Sequence, residues 1–150
     1  MFAALTSIRT EVEGLDTQRQ KRGVVSLSYV LRLISDDKSL SIFQLIGDIN
    51  FNGEISRKKL GLSRKQYNPR IESMMTTGLI KRHRGIYSLS PFGKVIYCCI
   101  MIAKNALNNY YSLKIIEHTE SSGFSDEELG KLVNALIDNQ QVKEFLAKKC

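Results

Sequence analysis

Apolar positions recur at helical spacing through most of this chain, with one short interval of alternation in the middle. Residues 24–34, VVSLSYVLRLI, are apolar but rich in β-branched side chains, so helix and strand compete there. From Lys38 the period is clear. Leu40, Phe43 and Ile46 fall on one helical face, and the run GDINFNGE supplies the Gly and Asn that stop the helix. Residues 55–60, ISRKKL, form a short second helix, with Gly61 placed where a left-handed residue ends it. A third helix begins at Ser63. Ser63 and Gln66 have the form of a capping box, and Leu62 and Tyr67 occupy the staple positions on either side. Tyr67, Ile71, Met74 and Met75 then make one inward stripe, while Lys65, Gln66, Pro69 and Ser73 point the other way and Thr77-Gly78 ends the helix. Pro69 admits two readings: a bend within one helix, or the first residue of a helix capped by Asn68. The single bent helix is preferred because it uses both start signals.

Residues 79–82 and 86–89 read as two short strands joined around Arg84-Gly85, a hairpin with charged residues at its tip. Ser90-Pro91 supplies an N-cap followed by proline at the first helical position, which predicts a long helix to about Ile116. Its first half, VIYCCIMIA, is apolar on every side, unlike a surface helix of one small domain. After the polar stretch HTESSGF, Ser125 and Glu128 make another capping box, with Asp126 and Glu127 at the positive end of the helix dipole. Leu129, Leu132, Val133, Leu136 and Ile137 form one stripe, Asp138-Asn139 interrupts it, and VKEFLAKK closes the chain in a turn or two. The first 22 residues end in the polar run DTQRQKRG and read as a peripheral segment. The expected fold class is mainly α with a small β-hairpin, in three parts: 1–23, 24–93 and 94–150.

Composition narrows the picture. A chain of 150 residues, 43% hydrophobic and 25% charged, has the size of one globular domain with a small appended element. The longest apolar run, at 95–103, falls far short of the roughly 20 residues that span a bilayer, and no cleavable leader pattern is present. A cytoplasmic protein without a membrane span is expected. Three cysteines, two of them adjacent, make no disulfide framework and fit a reducing compartment. Cys98 and Cys99 point about 100° apart on a helix and have no His or Cys beside them, so buried packing is expected rather than metal or redox chemistry. Tyr110 and Tyr111 read as helix-face packing, and His118 as a solvated helix end. Catalytic signatures such as GxSxG, HExxH, a phosphate-binding glycine loop or paired carboxylates do not occur, so neither an enzyme nor a cofactor nor a metal is implied. No sensing pocket for a small-molecule effector can be picked out.

Charge changes the picture most. The whole chain carries +7, yet residues 53–94 alone hold ten Lys and Arg against two Glu, a net of +8. One basic run is commonly a solvated face; three in succession beside a nearly neutral remainder have the form of an electrostatic footprint for nucleic acid.

The order helix, short helix, glycine turn, capped helix, hairpin, long helix is that of a winged helix-turn-helix. LGLSRKQYNPRI, GLIKRHRGIYSLSPFGKVIY and the tail ALIDNQQVKEFL resemble segments of archaeal winged-helix transcriptional regulators. The likeness extends over residues 38–97 and, less closely, the tail. It implies a recognition helix at 63–77 and a basic wing at 81–86 on double-stranded DNA; separately, the all-round apolar surface of VIYCCIMIA and the 129–137 stripe lead to the expectation that a C-terminal helix at 94–116 joins two copies in a homodimer. On this resemblance Lys65 and Gln66 are the choices for base readout, since Gln matches adenine bidentately. Ser63, Arg64, Pro69 and Arg70 share the same helix. Arg57, Lys58 and Lys59 on the preceding helix, with Lys81, Arg82, His83 and Arg84 on the wing, suit backbone phosphates. Pro69 departs from the family pattern, which usually has a small polar residue there; it can touch a thymine methyl but cannot donate to a base edge. The other reading is a winged helix used as a protein-interaction or assembly module, which has no need of such charge on helix and wing.

Overall fold

The structure is a computed structural model that describes residues 25–48 and 51–148, together with Ser7, Arg9 and Thr10. The peripheral segment expected at 1–23 otherwise lies outside the described residues. The chain is mainly helical with a small antiparallel hairpin, and it divides into two compact units, Met1–Ser88 and Leu89–Cys150.

In the first unit, α1 (Leu27–Leu33) resolves the competition at 24–34 in favour of helix. Ser26 caps it by accepting from the Tyr29 N–H, and Val30 and Ile34 turn inward. Next come α2 (Asp37–Asp48) and α3 (Gly53–Lys59), which pack on each other, and α4 (Arg64–Thr76), which packs against α1. Asp36 caps α2, its Oδ1 accepting from the N–H groups of Lys38 and Ser39 at 3.2 and 3.1 Å. Ile42, Phe43 and Ile46 of α2 are fully buried, and Leu62, Tyr67, Ile71 and Met74 are buried as well.

Both ends of α3 and α4 that face each other in sequence follow local rules. Gly61 lies at φ 63°, Leu62 N–H bonds to the Arg57 carbonyl and Gly61 N–H to that of Lys58, the paired bonds of a Schellman ending. The capping box at Ser63 and Gln66 is formed in both directions. The helix then runs unbroken through Pro69, so the reading in which Pro69 starts a helix is set aside. The proline lies on the exposed face, and its missing N–H denies a bond to the Lys65 carbonyl.

The hairpin consists of β2 (Ile80–His83) and β3 (Ile86–Leu89). A strand not foreseen from sequence, β1 (Phe51–Asn52), pairs antiparallel with β3 in the register Phe51↔Tyr87 and Asn52↔Ile86, giving the order β1-β3-β2. Its two residues sit in the run that reads as a helix stop, and their partner lies some thirty-five positions away, beyond any local pattern.

The second unit holds four helices among the described residues: α5 (Pro91–Asn108), α6 (Tyr110–Glu120), α7 (Asp126–Leu136) and α8 (Gln140–Ala147). The single helix expected from Pro91 to about Ile116 is therefore two. Asn109, at φ −103° and ψ 20°, separates them, and its side-chain amide donates to the Asn105 carbonyl at 2.9 Å. Asparagine side chains that bond local backbone compete with the helix, and the apolar period passes over such a break without a mark. Ile116, Ile137 and Val142 form the buried core of this unit, flanked by Leu113, Leu132, Val133 and Leu136. The second capping box, at Ser125 and Glu128, is formed.

Two packing expectations are corrected here. Cys98 and Cys99 are exposed, and of α5 only Gly93 is buried. Tyr110 and Tyr111 are also exposed, meeting each other edge to face at 5.6 Å rather than packing into the unit. An apolar sequence marks a surface that water disfavours, but a neighbour must be at hand to cover it, and the described residues do not cover this one. No described helix is long and apolar enough to cross a membrane.

Candidate nucleic-acid interface

Nine of the cations between residues 53 and 94 belong to α3, α4 and the hairpin of the first unit, and they divide by what holds them. Arg57, the least exposed, with 20% of its side chain open, donates to the Leu62 carbonyl at 2.9 Å and to Glu54 Oε2 at 2.9 and 3.3 Å. It fastens the α3–α4 turn. Arg70 donates to the Gln66 carbonyl at 2.7 Å and to Asp36 Oδ1 at 3.3 and 3.4 Å, tying α4 to the start of α2. Arg57 was expected on phosphate and Arg70 on the DNA-facing helix; both are occupied within the fold. Arg64 meets Glu54 Oε1 at 3.1 Å but leaves 74% of its side chain in solvent.

Lys58, Lys65, Lys81, Arg82 and Arg84 are exposed and form no ion pair with the described residues, and Lys59 and His83 are exposed beside them. Arg82 lies over the Tyr87 ring, 5.5 Å from its centroid, which fixes the direction of one guanidinium on the hairpin. Arg84 and Gly85 form a two-residue loop with φ of 48° and 80°, the signs a type I′ turn requires. On α4, Lys65 and Pro69 face outward as expected. Gln66 is half-buried, and its carboxamide oxygen already accepts from the Ser63 N–H at 3.3 Å, while Ser63 Oγ accepts from the Gln66 N–H. These two residues are thus committed to the cap, and Lys65 is the outward side chain at this end without such a tie.

A cleft of about 370 Å³ opens where α3, α4 and the hairpin meet, lined by Glu54, Arg57, Arg64, Arg82, Tyr67 and Tyr87 among others. Gly53 also lines it, and a Cβ there would fall 2.7 Å from the Tyr87 ring, so only glycine lets the ring sit this close. The hydrogen bond from Arg57, then its charge, and then Arg64 hold the Glu54 carboxyl below its usual range, so Glu54 is ionised at neutral pH. Burial pushes the Tyr67 phenol up, with the Ser56 hydroxyl opposing the shift. The Tyr67 hydroxyl nevertheless has no partner that meets hydrogen-bond geometry among the described residues.

Sequence reading placed Tyr67 in the core alone and assigned Glu54 and Tyr87 no part in the site. The spacing of Glu54 to Arg57 is a helical i,i+3 pair and was open to recognition; the ten-residue reach from Glu54 to Arg64 was not. No cluster of three or more His, Cys, Asp or Glu side chains able to hold a metal occurs among the described residues. No family model, curated protein or solved structure matches the chain.

Proposed function

We propose that the chain is a duplex-DNA-binding transcriptional regulator of winged helix-turn-helix type, with α4 as the recognition helix and the β2–β3 hairpin as the wing. What carries the reading is the charge of 53–94, most of it on three consecutive elements of one unit, with Lys58, Lys65, Lys81, Arg82 and Arg84 all turned to solvent. Like charges so close repel one another, and a polyanion offsets that repulsion by releasing counterions. Lys65, at the first turn of α4, is the residue for a base edge; Lys58, Arg82 and Arg84 serve phosphates. The exposed apolar side chains of α5 and α6, among them Val95, Leu107, Tyr111 and Ile115, support the further proposal that two copies associate through 94–116.

The test is selection of bound sites from a random duplex pool, followed by affinities for a selected and a scrambled duplex across a salt series. Lys58→Ala weakens both duplexes alike and flattens the salt dependence by roughly one phosphate. Lys65→Ala loses about 1–3 kcal/mol of preference at one position while keeping most non-specific binding. Equal losses on both duplexes for both variants would remove direct readout by α4. Absence of any binding would leave the interaction module as the better reading.

A further inference from the structure

The cleft between α3, α4 and the hairpin is lined by three guanidinium groups, Arg57, Arg64 and Arg82, and one carboxylate, Glu54, a net of +2. Glu54 uses its oxygens separately, Oε2 for Arg57 and Oε1 for Arg64. Arg57 is fixed a second time by the Leu62 carbonyl, whereas Arg64 is largely in solvent and holds Glu54 through one contact. Exposed pairs of that kind contribute little, so Arg64 can change partners without disturbing the Arg57–Glu54 pair. Tyr67, also lining the cleft, keeps a buried hydroxyl without a geometrically satisfied partner, although buried hydroxyls are nearly always satisfied. That hydroxyl lies within electrostatic reach of Glu54 and Tyr87, both residues of the same cleft. An excess of positive charge, guanidinium edges and an idle hydroxyl donor together suit a tetrahedral oxyanion.

We propose that this cleft is a seat for a phosphate group, and that Glu54 is its resident stand-in. An arriving phosphate takes the guanidinium of Arg64 from Glu54 Oε1 and accepts from Arg82 and from the Tyr67 hydroxyl, while Arg57 stays on Glu54 and Leu62. The phosphate is either a backbone phosphodiester of duplex DNA or a free phosphate ester. For the first source the inference rests on the duplex-binding reading; for the chemistry of the seat it does not.

The experiment runs two titrations on the full chain at constant ionic strength with chloride as the control. One uses inorganic phosphate and a nucleoside 5′-monophosphate, the other a random-sequence duplex. Binding is followed calorimetrically and by the fluorescence of the six tyrosines, there being no tryptophan. Arg64→Ala and Arg82→Ala each weaken phosphate binding about tenfold, and Glu54→Gln strengthens it about threefold or more, by removing the competitor and its charge. Tyr67→Phe weakens phosphate binding about fivefold yet costs the free protein little stability, because the hydroxyl it deletes has no partner that meets hydrogen-bond geometry. If duplex affinity follows phosphate affinity through these variants, the seat holds a backbone phosphate. Should phosphate respond while the duplex binds unchanged or not at all, the seat serves a free ester, and in the latter case the duplex reading falls alone. A duplex that binds well, with neither titration moved by Glu54→Gln or Tyr67→Phe, overturns the seat and leaves the duplex reading standing. No response to phosphate beyond chloride and no duplex binding overturn both.

Discussion

Arg84 occupies a backbone conformation that disfavours it. At φ 48° its Cβ crowds the carbonyl, which costs about 1–2 kcal/mol for a residue other than glycine, and Asn or Asp is the commoner choice before Gly in such a loop. The hairpin therefore carries a cation at its tip where a better turn-former would fit. Arg84→Asn is expected to raise the free energy of unfolding by roughly 0.5–1 kcal/mol while weakening every duplex alike. Chemical denaturation, paired with duplex affinity over a salt series, reads both effects; a lower denaturation midpoint in the variant would contradict the strain argument. The turn itself was legible as Arg-Gly between two alternating runs. The fates of single side chains were less so. Arg57 looked like one more phosphate contact, but the Leu62 carbonyl that captures it is exposed to capture only once α3 and α4 have formed their turn. Cys98 and Cys99 looked buried because their neighbours are apolar, and burial depends on what packs alongside, which adjacency in sequence does not encode.

Among elements, the junction of α2 and α4 hangs on Asp36. Its carboxylate caps α2 through Oδ1, accepts the Ser39 hydroxyl on Oδ2 and pairs with Arg70 of α4. The Ser39 hydroxyl foremost holds this carboxyl below its ordinary value; burial opposes it, and the Ser39 N–H and Arg70 add to the lowering. A depressed folded-state value contributes stability that is complete above the unfolded value, near pH 4, and is lost as pH falls through the lowered one. Asp36→Ala is expected to cost about 1 kcal/mol at neutral pH, within the usual range for a deleted N-cap. That cost should shrink on the acid side, as the wild type loses what the variant already lacks. Urea midpoints from pH 7 to about pH 2 for both proteins measure it, and a difference independent of pH would refute the role assigned to ionised Asp36. Glu54 and Glu128, also held low, share in the general acid loss but not in this difference. Element ends were the most legible part of the fold: Ser63 with Gln66, Ser125 with Glu128 and Gly61 all act within a few residues of themselves. Strand β1 and the break at Asn109 were not, the first because its partner is remote and the second because asparagine interrupts a helix without interrupting its apolar period.

For the whole molecule, the open matter is what covers the second unit. Its buried core is small, and Leu107 and Tyr111 stand 72% and 82% exposed. A second copy is the proposed cover. Light scattering at micromolar concentration is expected to give twice the mass of the 17.0 kDa chain, and Leu107→Glu to shift it towards the single mass by placing a charge in an apolar contact. A wild-type monomer at that concentration would count against association through 94–116. Because α5 and α6 part at Asn109, any such contact is made by two helical segments and not by one straight rod. The all-round apolar character of VIYCCIMIA was plain in sequence; its partner was not, since a sequence displays a surface without showing what lies upon it.

The missing methyl at Gly53 has a consequence for how the first unit is dimensioned. A Cβ at 53 would fall 2.7 Å from the ring of Tyr87 of β3, and the guanidinium of Arg82 lies over the same ring. The approach of α3 to the hairpin is thus gauged by one aromatic ring against a bare backbone. An alanine at 53 would act as a shim, displacing the ring and with it the guanidinium that lies over it, so that the spacing between helix and hairpin is specified at a residue that has no side chain.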